Sequence, residues 1–405
     1  MRSLWSLLAV VSLTSACGSG TEDSDGIPAT DSTPASNTAN TTAAQISSNS
    51  GGPAGTMASA TSGGGSTAAT TGGATGTPSS TGAGPSGGGE GGADGVSTST
   101  DGGLPDLTGT PTQEERGALL AVRQEHGVAA LNGEVYVLGG FTPDAGPSVQ
   151  AYDPESDAWR DVADFPAVFH HPNVATVGNM LYVAGFHVGS DLRQADGRVF
   201  AYDPEADEWL PRESMPIGTE RGAGCVATLD DDIYVFGGAN DVTMPDASVY
   251  DTVADEWTQL PLMPALREHC IAAGIGGKIY IVSGRANSIE GIEVESWVYD
   301  PVLEVYEERQ GMPTPRAGCA GGVLGGRIFA FGGEGNADDP NGIFHEVEAY
   351  DPATDSWEEL PDMLLPRHGF GAAVIGDRIY LPGGGTSQGF EGTDLHTVFF
   401  FESAD

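Results

Sequence analysis

Short apolar runs that end in glycine recur along the second half of this 405-residue chain. Four of them pass from β-branched or aromatic residues into Gly-Gly, at 135–140, 233–238, 328–333 and 379–384, and weaker copies end at Gly185 and Gly284. Their second positions lie 46, 52, 46, 49 and 51 residues apart. This spacing predicts a propeller or a solenoid, because a single unit of that length cannot bury its apolar face alone.

A second pattern follows each of the first five runs. A tyrosine and a later aromatic residue stand seven positions apart, and four copies carry Asp-Pro directly after the tyrosine. The five pairs are Tyr152 and Trp159, Tyr202 and Trp209, Tyr250 and Trp257, Tyr299 and Tyr306, and Tyr350 and Trp357. Aspartate accepts hydrogen bonds from the backbone ahead of it, and proline presets φ for a turn. The pattern predicts an outer hairpin in each of these five repeats.

Small residues precede each glycine-terminated run, which suits strands that converge near an axis. Two-residue turns such as Asn132-Gly133 join the two strands. The whole order, with Met-Pro after the hairpin as at Met215-Pro216, resembles the kelch-repeat β-propellers over roughly residues 111–405. That resemblance implies an all-β fold of six four-stranded blades around a channel.

The repeats contain six inner strands but only five outer hairpins. The last repeat ends at 396–402 as a third strand without a fourth. In register, Gln113 occupies the tryptophan position, so residues 110–116 are expected to supply the missing outer strand. Pairing both termini in one blade would remove exposed strand edges. The predicted propeller therefore spans 110–405.

The first 109 residues have a different character. Residues 1–16 carry Arg2, an apolar core and small residues, which indicate a lipoprotein-type signal peptide. Cys17 is then the expected lipidation site, although leucine lies four residues before it, whereas a lipobox usually has leucine at three; simple cleavage after Ala16 is the alternative. Residues 17–109 are rich in Gly, Ser and Thr and predict a disordered linker. We expect an exported protein, lipid-anchored to a bacterial outer membrane or cell surface, with a periplasmic or secreted form as the alternative.

Charge restricts the choice of partners. The chain has a formal net charge of −41, and residues 111–405 hold 49 acids against 15 bases, a net −34. Such a domain repels nucleic acid and anionic lipid headgroups. We therefore expect no nucleic-acid partner, and membrane contact through Cys17 alone.

Arginine recurs thirteen residues before the second-strand aromatic in five of the six repeats. The five arginines are Arg123, Arg221, Arg267, Arg316 and Arg367, and Phe169 occupies the equivalent position in the remaining repeat. This segment, with the residues just after Gly-Gly, resembles the lining of the ligand-binding channel mouth in kelch propellers. By that resemblance His171, His269 and Arg285 join the mouth, which would favour an anionic ligand. The alternative is a structural ring that pairs with acids or carbonyls.

Cysteine and histidine spacing gives little further chemistry. Equivalent points on neighbouring inner strands are expected to exceed the ~7 Å limit for a disulfide, so Cys225, Cys270 and Cys319 are expected to be buried thiols. No metal-ligand spacing and no cofactor motif is apparent. The oxygen-rich loop 336–342 leaves a Ca²⁺ site open as a weaker alternative.

Three classes of function remain. The favoured class is a tethered, monomeric binding module for a protein, peptide or glycan ligand, with no catalytic residues assigned. The second is a carbohydrate-active enzyme resembling the sialic-acid mutarotases, with Glu220 and Arg221, or Glu268 and His269, as an acid/base group. The third is a structural envelope protein.

The anchor can be tested directly. Cys17→Ser removes the only thiol that the predicted signal offers for lipid, so the variant should move from the membrane fraction to the soluble fraction after cell lysis. A variant that still sediments with membranes would contradict lipidation at Cys17.

Overall fold

The computed structural model describes residues 105, 107–142, 146–389 and 391–403. The predicted signal peptide, Cys17 and nearly all of the linker lie outside these residues. Within them the secondary structure consists of 26 β-strands, which confirms the all-β prediction. No helix in this part of the chain is long and apolar enough to cross a membrane.

Six antiparallel four-stranded sheets form the blades of a six-bladed propeller. In chain order, blade 1 holds β2 (Gly127–Leu131), β3 (Glu134–Leu138), β4 (Val149–Asp153) and β5 (Ala158–Val162). Blade 2 holds β6 (Val174–Val177), β7 (Met180–His187), β8 (Ala195–Asp203) and β9 (Glu208–Arg212). Blade 3 holds β10 (Cys225–Leu229), β11 (Asp232–Phe236), β14 (Ala247–Asp251) and β15 (Glu256–Gln259). Blade 4 holds β16 (Ile271–Ile275), β17 (Lys278–Val282), β18 (Ser296–Asp300) and β19 (Val305–Arg309). Blade 5 holds β20 (Ala320–Leu324), β21 (Arg327–Phe331), β22 (Val347–Asp351) and β23 (Ser356–Leu360). Blade 6 holds β24 (Ala373–Ile375), β25 (Arg378–Pro382), β26 (His396–Glu402) and β1 (Thr110–Glu115). A small hairpin, β12 (Ala239–Asn240) and β13 (Val242–Thr243), decorates blade 3.

Blade 6 is assembled from both ends of the repeat region. Strand β1 pairs antiparallel with β26, and Gln113 lies opposite Phe399. The Gln113 side chain donates to the carbonyl of Asp362 at 3.0 Å and accepts from the amide of Leu364 at 2.9 Å. Strand β1, which completes blade 6, therefore also connects that blade to the end of blade 5 by two hydrogen bonds.

The outer hairpins join each blade to its predecessor. In blade 1 the Tyr152 hydroxyl donates to Asp157 Oδ1, which also accepts the amide of Gly117, while the Trp159 ring nitrogen donates to the carbonyl of Gly117. The Asp153 carboxylate accepts the amide of Glu155 within the turn, as its position before proline predicts. The same arrangement recurs at Tyr202, Tyr250 and Tyr350. The repeated aromatic motif thus forms hydrogen bonds between neighbouring blades as well as within each blade.

The second glycine of Gly-Gly forms a further link between blades. Gly238 has φ of 94°, and its amide donates 2.8 Å to the carbonyl of Arg267 in blade 4. A Cβ at this position would lie 2.7 Å from the carbonyl oxygen of Gly222. Glycine is required here by both the backbone conformation and the close approach of the chain.

The expectation of free thiols is wrong for two of the three cysteines in the propeller. Cys225 and Cys270, in neighbouring blades 3 and 4, form a disulfide with a Cα–Cα distance of 5.1 Å. The two cysteines lie closer together than was expected for equivalent positions on neighbouring strands, because the inner strands converge on the axis. Cys319 is buried and free.

Candidate functional site

A closed ring of backbone hydrogen bonds surrounds the channel axis. One residue from each blade contributes, two positions after the recurring arginine or Phe169, and its amide donates to the matching carbonyl of the preceding blade over 2.6–3.1 Å. The six members are Glu125, His171, Ala223, His269, Gly318 and Gly369. All six have φ between 48° and 63°. This left-handed conformation costs a non-glycine residue about 1–2 kcal/mol, so three large polar side chains are held at the axis against a local preference.

A cavity of about 240 Å³ lies against one side of this ring, and we call it the mouth cavity. Its lining comes from loops of several blades: Glu125, Phe141, His171, Asp191, Leu192, His269, Arg285, Ser288, Ile289, Glu334, His368, Gln388 and Gly389. A second cavity of about 60 Å³ also touches Glu125, His171 and His269. These three side chains therefore border both spaces.

The polar groups of the mouth cavity form one connected cluster. Glu125 Oε2 lies 3.1 Å from His171 Nε2 and 3.6 Å from His269 Nε2. Gly369 makes room for this carboxylate, since a Cβ there would lie 2.5 Å from Glu125 Oε1. On the neighbouring side, Arg285 donates 3.0 Å to Glu268 and also pairs with Glu334.

The histidines in and around this cluster have different pKa values and therefore different charges at neutral pH. Burial and Arg285 lower the pKa of His269, but Glu268 and Glu125 raise it more, to about 9. Burial lowers the pKa of His171. It also lowers the pKa of two histidines that lie beside His171 but outside the cavity lining, His170 to about 2 and His187 to about 3. The cluster thus holds a cationic His269 beside neutral imidazoles.

The carboxylates respond to the same neighbours. Burial raises the pKa of Glu268, but His269 and Arg285 lower it to about 2. Burial likewise raises the pKa of Glu125, and His171 and His269 bring it well below its usual range. Both glutamates are therefore ionised at neutral pH, with the balancing positive charges on His269 and Arg285.

The five recurring arginines do not line the mouth cavity. Each is fully buried, with 0% of its surface exposed. Their guanidinium groups point into their own blades and donate to backbone carbonyls, as Arg367 does to Leu381 at 3.0 Å and Gly383 at 2.7 Å. Arg316 also pairs with buried Glu348. The ligand-facing interpretation of Arg123, Arg221, Arg267, Arg316 and Arg367 is corrected to the structural alternative, because no ligand can reach these groups.

The other residues of the predicted mouth separate into two groups. His171, His269 and Arg285 meet in the mouth cavity, although their repeats are distant in sequence. Glu220 does not join them: its carboxylate accepts the amide of Gly218, and neighbouring Arg221 is turned into its blade. Of the two acid/base pairs considered from sequence, only Glu268 with His269 belongs to the cluster, with 3.6 Å between them.

Three cluster residues were missed as site residues by the sequence reasoning. Glu125 stands in register with His171 and His269, two positions after arginine, and this register was the available signal. Glu334 directly follows Gly-Gly, as Arg285 follows Ser283-Gly284. His368 lies one residue after Arg367, and its Nδ1 is 3.5 Å from Glu334 Oε2.

Two sets of side chains in the described residues have the composition and spacing of metal ligands. One comprises Glu125, His171 and His269, and the other Glu125, Glu334 and His368. Within each set the ligand atoms lie within 4.8 Å of one another. The loop 336–342, considered from sequence as a Ca²⁺ site, instead uses Asn336 and Asp339 oxygens to accept its own backbone amides.

Comparison with known proteins identifies the class. Residues 170–384 match the KLHDC2/KLHL20/DRC7 Kelch-repeats domain, and residues 123–166 match the Kelch motif. The fold is also similar to the solved structure titled "Structure of YjhT", with a TM-score of 0.57 and 15% identity over 69% of this chain and 96% of that one. A six-bladed propeller with these repeats is a kelch-type propeller. The chain belongs to the kelch-repeat family.

Curated relatives share the repeats over part of their length. Kelch-like protein terF of Aspergillus terreus is 35% identical over 302 residues, which cover 68% of this chain and 64% of that protein. Kelch-like protein 25 of Homo sapiens is 35% identical over 176 residues, which cover 41% of this chain and 29% of that protein. The chain therefore spans less than two thirds of these relatives.

The structural role of the arginines predicts a stability effect. Arg367→Met should lower the free energy of unfolding by about 3 kcal/mol or more, because several buried carbonyls lose a charged donor. Arg193→Met is the matched control: that side chain is 75% exposed, and its loss should change stability by less than about 0.5 kcal/mol. Urea unfolding of both variants measures the difference, and equal midpoints would contradict the structural role.

Proposed function

We propose that this protein is an exported, surface-tethered kelch propeller that binds a neutral polar ligand in its mouth cavity. The ligand is a sugar or a peptide segment that offers hydroxyl or amide groups. The observation that carries the proposal is the convergence of carboxylates, imidazoles and one guanidinium on a single open cavity at the axis. Kelch domains generally mediate protein interactions, which supports a ligand presented by a protein partner.

The size of the cavity limits what can enter it. A volume of about 240 Å³ is below the ~300–1,000 Å³ typical of drug-sized ligands. One sugar ring or one side chain fits this space better than a folded surface. Phe141, Leu192 and Ile289 on the lining supply apolar contacts for the part of the ligand that remains outside the polar base.

Charge argues against the anionic ligand expected from sequence. That expectation depended on the arginine ring, whose guanidinium groups are buried within the blades. Arg285, the arginine of the mouth cavity, already pairs with Glu268 and Glu334. Carboxylates favour hydrogen-bond donors, and Arg285 and His269 can still donate to an acceptor, so a group with both donors and acceptors suits the cavity best.

Export and tethering form the second half of the proposal. The order of an apolar leader, Cys17 and a polar linker supports a lipid-anchored protein displayed away from a membrane. The Cys225–Cys270 disulfide is typical of oxidising compartments outside the cytosol, which agrees with export.

A mutarotase-like activity is the second candidate. Glu125 and His171 lie 3.1 Å apart and both border the mouth cavity, with Arg285 on the same lining. A carboxylate and an imidazole at this distance can exchange a proton with a bound sugar. A mutarotation assay with a neutral hexose beside sialic acid separates this candidate from binding alone, since only catalysis accelerates exchange between anomers.

Binding is tested by screening the protein against glycan and peptide arrays and measuring affinity for the compounds retained. Phe141→Ala should weaken binding about tenfold, because the variant loses an aromatic contact on the cavity lining. Asp377→Asn is the control, since it lies on the β24–β25 turn at the opposite end of blade 6. The proposal fails if Asp377→Asn weakens binding as much as Phe141→Ala, or if neither array yields a ligand.

A further inference from the structure

We propose that Glu125, His171 and His269 form a binding site for a divalent first-row transition metal ion, of which Zn²⁺ is the best match. This inference deepens the proposed function, because the ion would lie at the base of the mouth cavity. The bound metal can nevertheless be measured without any other ligand, so the two proposals can fail separately.

The distances between the ligand atoms suit one small ion. Zinc binds imidazole nitrogen at about 2.0–2.1 Å and carboxylate oxygen at about 2.0–2.2 Å, which places neighbouring ligands roughly 3.3 Å apart in a tetrahedron. Glu125 Oε2 lies 3.1 Å from His171 Nε2 and 3.6 Å from His269 Nε2. The ligand atoms of all three residues lie within 4.8 Å of one another, so small side-chain shifts would bring them to coordination distance.

His269 is poorly satisfied by protein groups alone. Its side chain is 4% exposed, yet neither ring nitrogen has a hydrogen-bond partner within the described structure. Its Nε2 faces Glu125, and its Nδ1 lies 3.6 Å from Glu268 Oε1. A metal bound at Nε2 would take the place of the proton that this nitrogen otherwise carries, and that proton would be released to solvent. A carboxylate behind Nδ1 is the usual environment of a ligating histidine. Glu268 is thus assigned as the residue that orients His269.

The ligand set itself favours a transition ion over Ca²⁺ or Mg²⁺. Two imidazoles and one carboxylate suit zinc, iron and related ions, whereas calcium and magnesium take oxygen ligands. Three protein ligands leave at least one coordination position for water or a bound molecule. Because the three residues border the mouth cavity, that position is open to an incoming oxygen donor such as a hydroxyl or amide oxygen.

The second possible set, Glu125 with Glu334 and His368, is less suited to a metal. It offers one imidazole and two carboxylates, and one of these carboxylates, Glu334, already pairs with Arg285. His368 Nδ1 also lies 3.9 Å from Glu125 Oε1, farther than either imidazole of the first set lies from Glu125. One ion per chain is therefore expected.

The site is tested on the full chain after removal of metal with EDTA, by calorimetric titration with Zn²⁺ and elemental analysis of the dialysed protein. Wild type should bind one Zn²⁺. Glu125→Gln and His171→Gln should each weaken binding by about 100-fold or more, and Glu268→Gln by about 10–100-fold.

His345→Gln is the matched control, because His345 is 46% exposed, pairs with Asp339 on the surface and lies outside the proposed site. This variant should bind Zn²⁺ like wild type. Melting curves without metal identify any variant that fails to fold, and the other two variants then carry the test. Wild type without bound zinc after dialysis, or Glu125→Gln and His171→Gln with unchanged affinity, would overturn the assignment.

Discussion

The ring of six backbone hydrogen bonds around the axis is the constraint on which the rest of this structure depends. Each blade gives one amide and one carbonyl to it, and every member has a positive φ. The inner strands leave this ring outward, so its geometry sets how closely they approach. The close approach of Cys225 and Cys270 across blades 3 and 4 is one consequence.

The same ring also creates the candidate site. Ala223, Gly318 and Gly369 leave the axis open, whereas Glu125, His171 and His269 place ionisable groups there. Propellers need some residue at each of these positions for closure, but closure requires only backbone atoms. Side chains at the ring are therefore free to carry binding chemistry, and the positive φ that they share is maintained by the blades around them.

Much of the fold could be predicted because its signals are local. Gly-Gly, Tyr-Asp-Pro and the tryptophan act within one repeat or between neighbours, so their period alone indicates blades, and the unmatched third strand of blade 6 indicates where β1 is needed. The site could be predicted only in part. Arg367 and Arg285 were both predicted to lie at the channel mouth, yet one is buried against carbonyls and the other faces the cavity. The partners of Glu125 come from blades 2 and 4, and no spacing within a repeat reveals that meeting.

The most direct test of this account is X-ray diffraction at the zinc absorption edge from crystals of the protein grown with Zn²⁺. The account predicts one anomalous peak on the mouth-cavity side of the ring, about 2.0–2.2 Å from Glu125 Oε2, His171 Nε2 and His269 Nε2. The backbone ring should be unchanged by the ion. A map without a peak at these residues, in which Glu125 and His171 remain in direct contact at 3.1 Å, would contradict the account and leave the cluster as an ion pair within the scaffold.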